Sequence, residues 1–89
     1  MAGRVKPIVF SRHAEAKFGI LRKHGFVVHR ETITTCLRSP DKIDTGYKGR
    51  TIAQKAIDKE HVIRVIFEDI GETIRIVTFY PGRRERYEN

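Results

Sequence analysis

The chain has 89 residues, with 18 Lys and Arg against 11 Asp and Glu, a formal net charge of +7 and an isoelectric point near 10.0. That length admits one small domain with a modest core, and the charge favours polyanionic partners without specifying a fold. No apolar run approaches the length of a membrane span and no signal peptide is evident, while one cysteine and four scattered histidines offer neither an internal disulfide nor metal-ligand spacing. A cytoplasmic protein with no metal or other cofactor is therefore expected.

The charge is uneven. Residues 1–30 carry seven basic and one acidic side chain, residues 31–60 six and five, and residues 61–89 five and five. A basic face on the first strand and helix is expected rather than a uniformly basic surface. No repeat, low-complexity tract or linker interrupts the chain, so residues 1–89 read as one domain with a short basic tail at 82–89.

Ile8-Val9-Phe10 predicts a short apolar strand. Ser11 is placed to cap a helix, Gly25 to end it, and Ala14, Phe18 and Leu21 fall on one helical face between them. Residues 29–39 mix helix spacing (Ile33, Cys36, Leu37) with strand-prone threonines, and read as a second helix ended by Ser39-Pro40. Residues 41–46 predict a strand and 46–50 a glycine-bearing turn. Three stronger strands follow, at 51–57, 62–68 and 73–80, the last stopped by Pro81-Gly82. The expected fold is α+β: an N-terminal strand, two helices, then three or four antiparallel strands with the helices on one face.

Loop lengths set an expected register. A loop at Ile70-Gly71 places Phe67, Val65 and Ile63 opposite Ile74, Ile76 and Thr78 on the helix-bearing face. A two-residue loop at Lys59-Glu60 places Ile57 opposite Val62 and Lys55 opposite Arg64. Lys55, Arg64 and Arg75 then form a diagonal of cations across the other face, with Phe79 beside them as a surface on which bases stack. Like charges set opposite one another repel, so a bound phosphate is one reason for the arrangement. The alternative is a solvated face whose long stems cover apolar surface.

The tail, Pro81-Gly82-Arg83-Arg84-Glu85-Arg86-Tyr87-Glu88-Asn89, adds arginine forks suited to phosphate and a tyrosine suited to stacking or proton transfer. It reads either as part of a phosphate site or as a solvated terminus. Among the histidines, His13 is the proton-transfer candidate, while His24, His29 and His61 lie beside turns or helix ends and read as structural or solvated. Cys36, in Thr-Thr-Cys-Leu, reads as a buried small hydrophobe.

Ser11-Arg12-His13-Ala14 at the first helix, a basic β-meander, and Tyr80-Pro81 followed by Arg84-Glu85-Arg86-Tyr87 together resemble small prokaryotic domains related to the BrnT-like and RelE-like toxins of toxin–antitoxin pairs. The resemblance implies a RelE/ParE-like, microbial-RNase-like fold and a metal-independent endoribonuclease, in which the ribose 2′-OH attacks the adjacent phosphate to give a 2′,3′-cyclic phosphate. It implies Arg64 and Arg84 as phosphate stabilisers, with Arg86 and Lys55 in reserve, and Tyr87 as a proton handler or stacking platform; His13, at a position where RelE-like enzymes do not generally place a histidine, is the other proton-transfer candidate by residue type alone. Arg75, Arg83, Arg86, Lys55 and Phe79 would bind the nucleic acid. RNA, including ribosome-bound mRNA, and an antitoxin protein are the implied partners. ParE-like relatives share that fold and act on gyrase. The alternatives are a non-catalytic nucleic-acid-binding domain and a protein-interaction module for an acidic partner.

Overall fold

The computed structural model describes residues 6–88. The chain runs β1 (Ile8–Phe10), α1 (Arg12–Lys23), α2 (Arg30–Arg38), β2 (Lys42–Thr45), a short 3₁₀ turn (Tyr47–Gly49), β3 (Thr51–Ala56), β4 (His61–Asp69), β5 (Ile74–Arg83) and a last helical turn, α3 (Arg84–Tyr87). The strands form one sheet in the order β1-β5-β4-β3-β2.

The α+β class and the order of elements agree with the sequence reading. The sheet is mixed rather than antiparallel: β1 joins one edge and runs parallel to β5, pairing Ile8 with Ile74 and Phe10 with Ile76. An isolated three-residue strand is too short to be stable alone, and docking on β5 satisfies its backbone groups.

α1 begins where Ser11 caps it. Ser11 Oγ accepts from Ala14 N at 3.0 Å and donates to the Val77 carbonyl at 2.8 Å. The backbone N–H of Ser11 donates to Ile76 O at 2.9 Å. One residue thus caps the helix and ties its start to β5. Gly25, at φ 83°, ends the turn after α1 in the left-handed region where glycine is favoured. α2 covers nine residues and buries Ile33 and Cys36; its helical spacing prevails over the β preference of its threonines because that face meets the core.

Both helices cover one face of the sheet. Ala14, Leu21, Ile33 and Cys36 pack with Ala53, Ile63, Val65, Ile76 and Phe79 in one core. Phe18 bridges it to β1, its ring 4.8 Å from that of Phe79 and 5.7 Å from that of Phe10.

The register corrects two expectations. The β3–β4 loop has three residues instead of two: Ile57 N donates to His61 O at 3.0 Å, and Asp58 Oδ1 accepts from the N–H groups of both Glu60 and His61 at 2.7 Å. This Asx turn moves the pairing by one residue, so Gln54 faces Arg64 and Lys55 faces Ile63. Lys55 and Arg64 therefore lie on opposite faces, and the expected diagonal of cations does not exist.

The second correction is in β5. The β4–β5 loop has four residues, closed by Ile70 N donating to Thr73 O at 3.0 Å, with Gly71 at φ 94°. A bulge then breaks the ladder: Phe67 pairs with Ile76 but Ile66 pairs with Thr78, leaving Val77 as the extra residue. Beyond the bulge Phe79 faces the core and Thr78 the other face. Phe79 is fully buried, so it is not the base-stacking surface expected of it.

Nor does Pro81-Gly82 stop β5. The strand continues to Arg83, pairing Pro81 with Ile63 and Gly82 with Val62. Proline is tolerated there because β1 pairs only residues 74–76, so Pro81 lies on a free edge where no ladder N–H is required.

Candidate nucleic-acid interface

The face away from the helices carries Gln54 on β3, Val62, Arg64 and Ile66 on β4, and Thr78 and Tyr80 on β5. α3 folds back over it. Arg64 is only 7% exposed and Gln54 2%. The Arg64 guanidinium donates from Nε to Tyr80 Oη at 3.0 Å and from Nη1 to Gln54 Oε1. Its nearest carboxylate is Asp44 on β2, at 3.7 Å. The Tyr87 ring covers the remaining side, with its centroid 4.4 Å from the guanidinium carbon, and the Tyr80 ring lies at 5.9 Å. A buried cation is costly without partners; two neutral hydrogen-bond acceptors, one distant carboxylate and two ring faces supply them here.

Gln54 binds at both ends of its amide: Oε1 accepts from Arg64 and Nε2 donates to the Tyr87 carbonyl at 3.3 Å. Lys42 Nζ donates to the same carbonyl, also at 3.3 Å. The tail is thus held on the sheet by side chains of β2 and β3 and by the stack on Arg64. At its start, Arg84 N donates to Glu60 O at 2.8 Å, and the Arg84 side chain reaches Asp58 O at 3.2 Å and Glu88 at 2.8 Å. Beside Tyr87 is a cleft of about 450 Å³ lined by Pro81, Gly82, Arg83, Glu85, Arg86 and Tyr87. Arg83 and Arg86 are exposed, and neither pairs with a carboxylate among the described residues.

The structure brings Arg64 and Tyr87 together and adds Arg83 and Arg86 beside them. It does not bring His13 or Arg84 to that point. His13 is exposed on α1, in the layer covering the opposite face of the sheet, and Arg84 is spent on the β3–β4 turn and its own helix. Lys55 lies on the helix-bearing face, donating to Ser39 O at 2.8 Å and pairing with Asp41 at 3.6 Å. The Ala56 N–H, and after it the Lys55 ammonium, hold Asp41 below the usual carboxylate range. Arg75 is on the open face but pairs with Glu68 at 3.2 Å, as does Arg50. Those two guanidiniums, Arg50 foremost, hold the Glu68 carboxyl below its ordinary value.

Gln54, Asp44 and Lys42 were not singled out by sequence reasoning, and Tyr80 entered only as part of the Tyr80-Pro81 motif, with no role at the site. The signal available for Gln54 was a polar amide within the strand Thr51–Ala56 that could not be placed on a face until the register was known. A second, larger groove, about 680 Å³, lies between the α1–α2 connection and the end of β3, where Lys55, Asp58 and His61 rim an apolar floor of Phe26, Val28 and Ile57.

Among the described residues no group of His, Cys, Asp and Glu is placed to hold a metal ion, and no helix is long and apolar enough to cross a membrane. Comparison of the chain with protein families, curated proteins and solved structures gives no match.

Proposed function

We propose that the protein binds single-stranded RNA at the tail cleft, with Arg83 and Arg86 on backbone phosphates and Tyr87 against a base. The observation that carries this reading is the pairing of two carboxylate-free arginines with a tyrosine held in place from below by Arg64. Guanidinium forks recognise phosphate oxygens, and a fixed ring offers a sequence-tolerant stacking surface. Arg64, being buried, positions Tyr87 and does not itself reach solvent.

A second reading is the toxin-like, metal-independent endoribonuclease. One relationship favours it: Arg64 Nε donates to Tyr80 Oη, which leaves the Tyr80 O–H available as a donor at the guanidinium that Tyr87 covers. A phenol that can give up a proton beside a guanidinium suits protonation of the leaving 5′-oxygen as the 2′-oxygen bonds to phosphorus and passes its own proton to solvent water, giving the cyclic phosphate. In this reading His13 has no part at the tail site, and a move of Tyr87 is required to admit phosphate to Arg64.

Labelled single-stranded RNA incubated with the protein in EDTA tests both. Salt-sensitive binding that is lost in Arg83→Ala/Arg86→Ala supports the binding site, and intact binding in that variant sinks it. Products ending in a cyclic phosphate, lost in Tyr80→Phe, support scission; RNA left whole removes the enzymatic reading for free RNA.

A further inference from the structure

Ion pairing is uneven over the surface of this protein. On the sheet and its loops, Lys6, Lys42, Arg50, Lys55, Arg64 and Arg75 pair with carboxylates, while Lys59 in the β3–β4 loop and Arg83 at the end of β5 make no ion pair among the described residues. On α1, Arg12, Lys17, Arg22 and Lys23 likewise make no ion pair among the described residues. The one acid on that helix, Glu15, is taken by Arg30 of α2. Of the cations that make no ion pair among the described residues, α1 carries the largest group, across the sheet from the tail cleft; Arg38, Lys59, Arg83 and Arg86 are the others.

The shape of that face matters as much as its charge. Arg12 and Lys23 lie on one side of the helix about three turns, or about 16 Å, apart. Between them on the same side are Ala16 and Gly19, both exposed, and a side chain at Gly19 would meet nothing within 4 Å. Arg22 flanks the strip about 80° round the helix from Arg12, while Lys17, about 140° round the other way, is half-buried beside the core-facing side. The result is a low, straight ridge with cations at both ends and one along its flank.

We propose that the outer face of α1 docks the phosphodiester backbone of a nucleic-acid duplex. The unpaired Arg12, Arg22 and Lys23 on the outer side of one helix suit a run of backbone phosphates, and the small middle lets the backbone approach closely. The helix exposes no Phe, Tyr or Trp ring on which unpaired bases would stack, Phe18 being packed against the core. An anionic membrane fits less well: the apolar side of α1 is already buried, and Ile20, 44% exposed, is the one large apolar side chain α1 leaves in solvent. This surface is independent of the tail cleft, and each stands or falls without the other.

The test is the salt dependence of binding to a short RNA duplex and to a DNA duplex of the same sequence, for the native chain, Arg12→Ala/Lys23→Ala and Arg83→Ala/Arg86→Ala. All four residues are exposed, so both variants are expected to fold. Removing two phosphate contacts lowers the log–log slope by about two for the α1 variant, while the tail variant keeps the native slope on duplex. The slope change on both duplexes assigns recognition to the backbone; a change on RNA duplex alone assigns it to backbone in A-form spacing. An unchanged slope in the α1 variant overturns the proposal. So does absence of duplex binding by the native chain, whether or not it binds anionic vesicles. Loss of single-stranded binding in the tail variant with no α1 effect would leave the tail reading standing alone.

Discussion

Tyr87 occupies the space that a side chain at position 82 would need: a Cβ on Gly82 would lie 2.7 Å from Cδ2 of the Tyr87 ring and closer still to Cε2. Gly82 is therefore what lets the tail close on the sheet, and closure is what places Tyr87 over Arg64. Backbone strain is not the reason, since Gly82 is not among the positive-φ glycines. The constraint is steric.

Gly82→Ala is accordingly expected to lift α3 while leaving the helices and the core unchanged. Overpacking of this kind costs about 1–3 kcal/mol where the neighbour cannot yield, and less where the tail simply detaches. Limited proteolysis distinguishes the two: cleavage at Arg84 or Arg86 should accelerate strongly in the variant. A cleavage rate equal to that of the native chain would mean that the ring accommodates the methyl group.

Arg64 and Tyr80 should be energetically coupled. Arg64→Leu strands Gln54 Oε1 and Tyr80 Oη on a buried face, at about 2–3 kcal/mol, whereas Tyr80→Phe removes one neutral acceptor, at about 1 kcal/mol. Denaturant unfolding of both single variants and the double should give a coupling energy above about 0.5 kcal/mol. Additive losses would show that the hydrogen bond contributes nothing net.

Acid should unfold the protein through the carboxylates that fix its turns. Asp58 is held below the ordinary range by the Glu60 N–H first and by His61, Asp69 by the Lys6 ammonium first, and Asp41 by the Ala56 N–H first. A depressed folded pKa contributes stability above the unfolded pKa of about 3.9, and that contribution is lost as pH falls through the folded value. Thermal stability should therefore decline below about pH 4, and Asp58→Asn should decline less over the same range. An identical acid profile in that variant would count against the turn as a contributor.

Cys36 should be inert in the folded protein. Burial pushes its thiol up to about 11, only partly offset by Lys55, and the side chain is wholly enclosed. Alkylation at pH 8 should be slow until denaturant is added, and then should follow the unfolding transition. Fast labelling of the native chain would show that α2 opens locally.

Much of the fold was legible in the chain because it is written in local terms. The Ser11 cap, the Ala14, Phe18, Leu21 spacing and Gly25 delimit α1, and the alternation of residues 62–68 and 73–80 announces β4 and β5. The amphipathic face of α2 outweighed its threonines, as its Ile33 and Cys36 spacing indicated. The unpaired positive charge on α1 also follows the uneven distribution along the sequence, although only the ion pairs show that Lys42, Arg50, Lys55, Arg64 and Arg75 of the sheet side are neutralised and the cations of α1 are not.

Arg64, Arg83, Arg86 and Tyr87 were legible as candidate site residues, but which partners they meet was not, because that depends on parity. One extra residue in the Asp58 turn sends Lys55 to the helix face and brings Gln54 to Arg64; one bulged residue at Val77 sends Phe79 into the core and Tyr80 to Arg64. Successive side chains of a strand point to opposite faces, so a single residue of register decides which partners meet. The tail depends on something the linear pattern carries even less: a proline placed where the sheet edge needs no N–H, and a glycine placed where a ring 5 residues later must lie. Composition and periodicity determined which elements form and how charge is spread along them. The tertiary packing alone decided that Arg64 is buried beneath Tyr87, because that contact joins two segments whose separation along the chain contains no local signal.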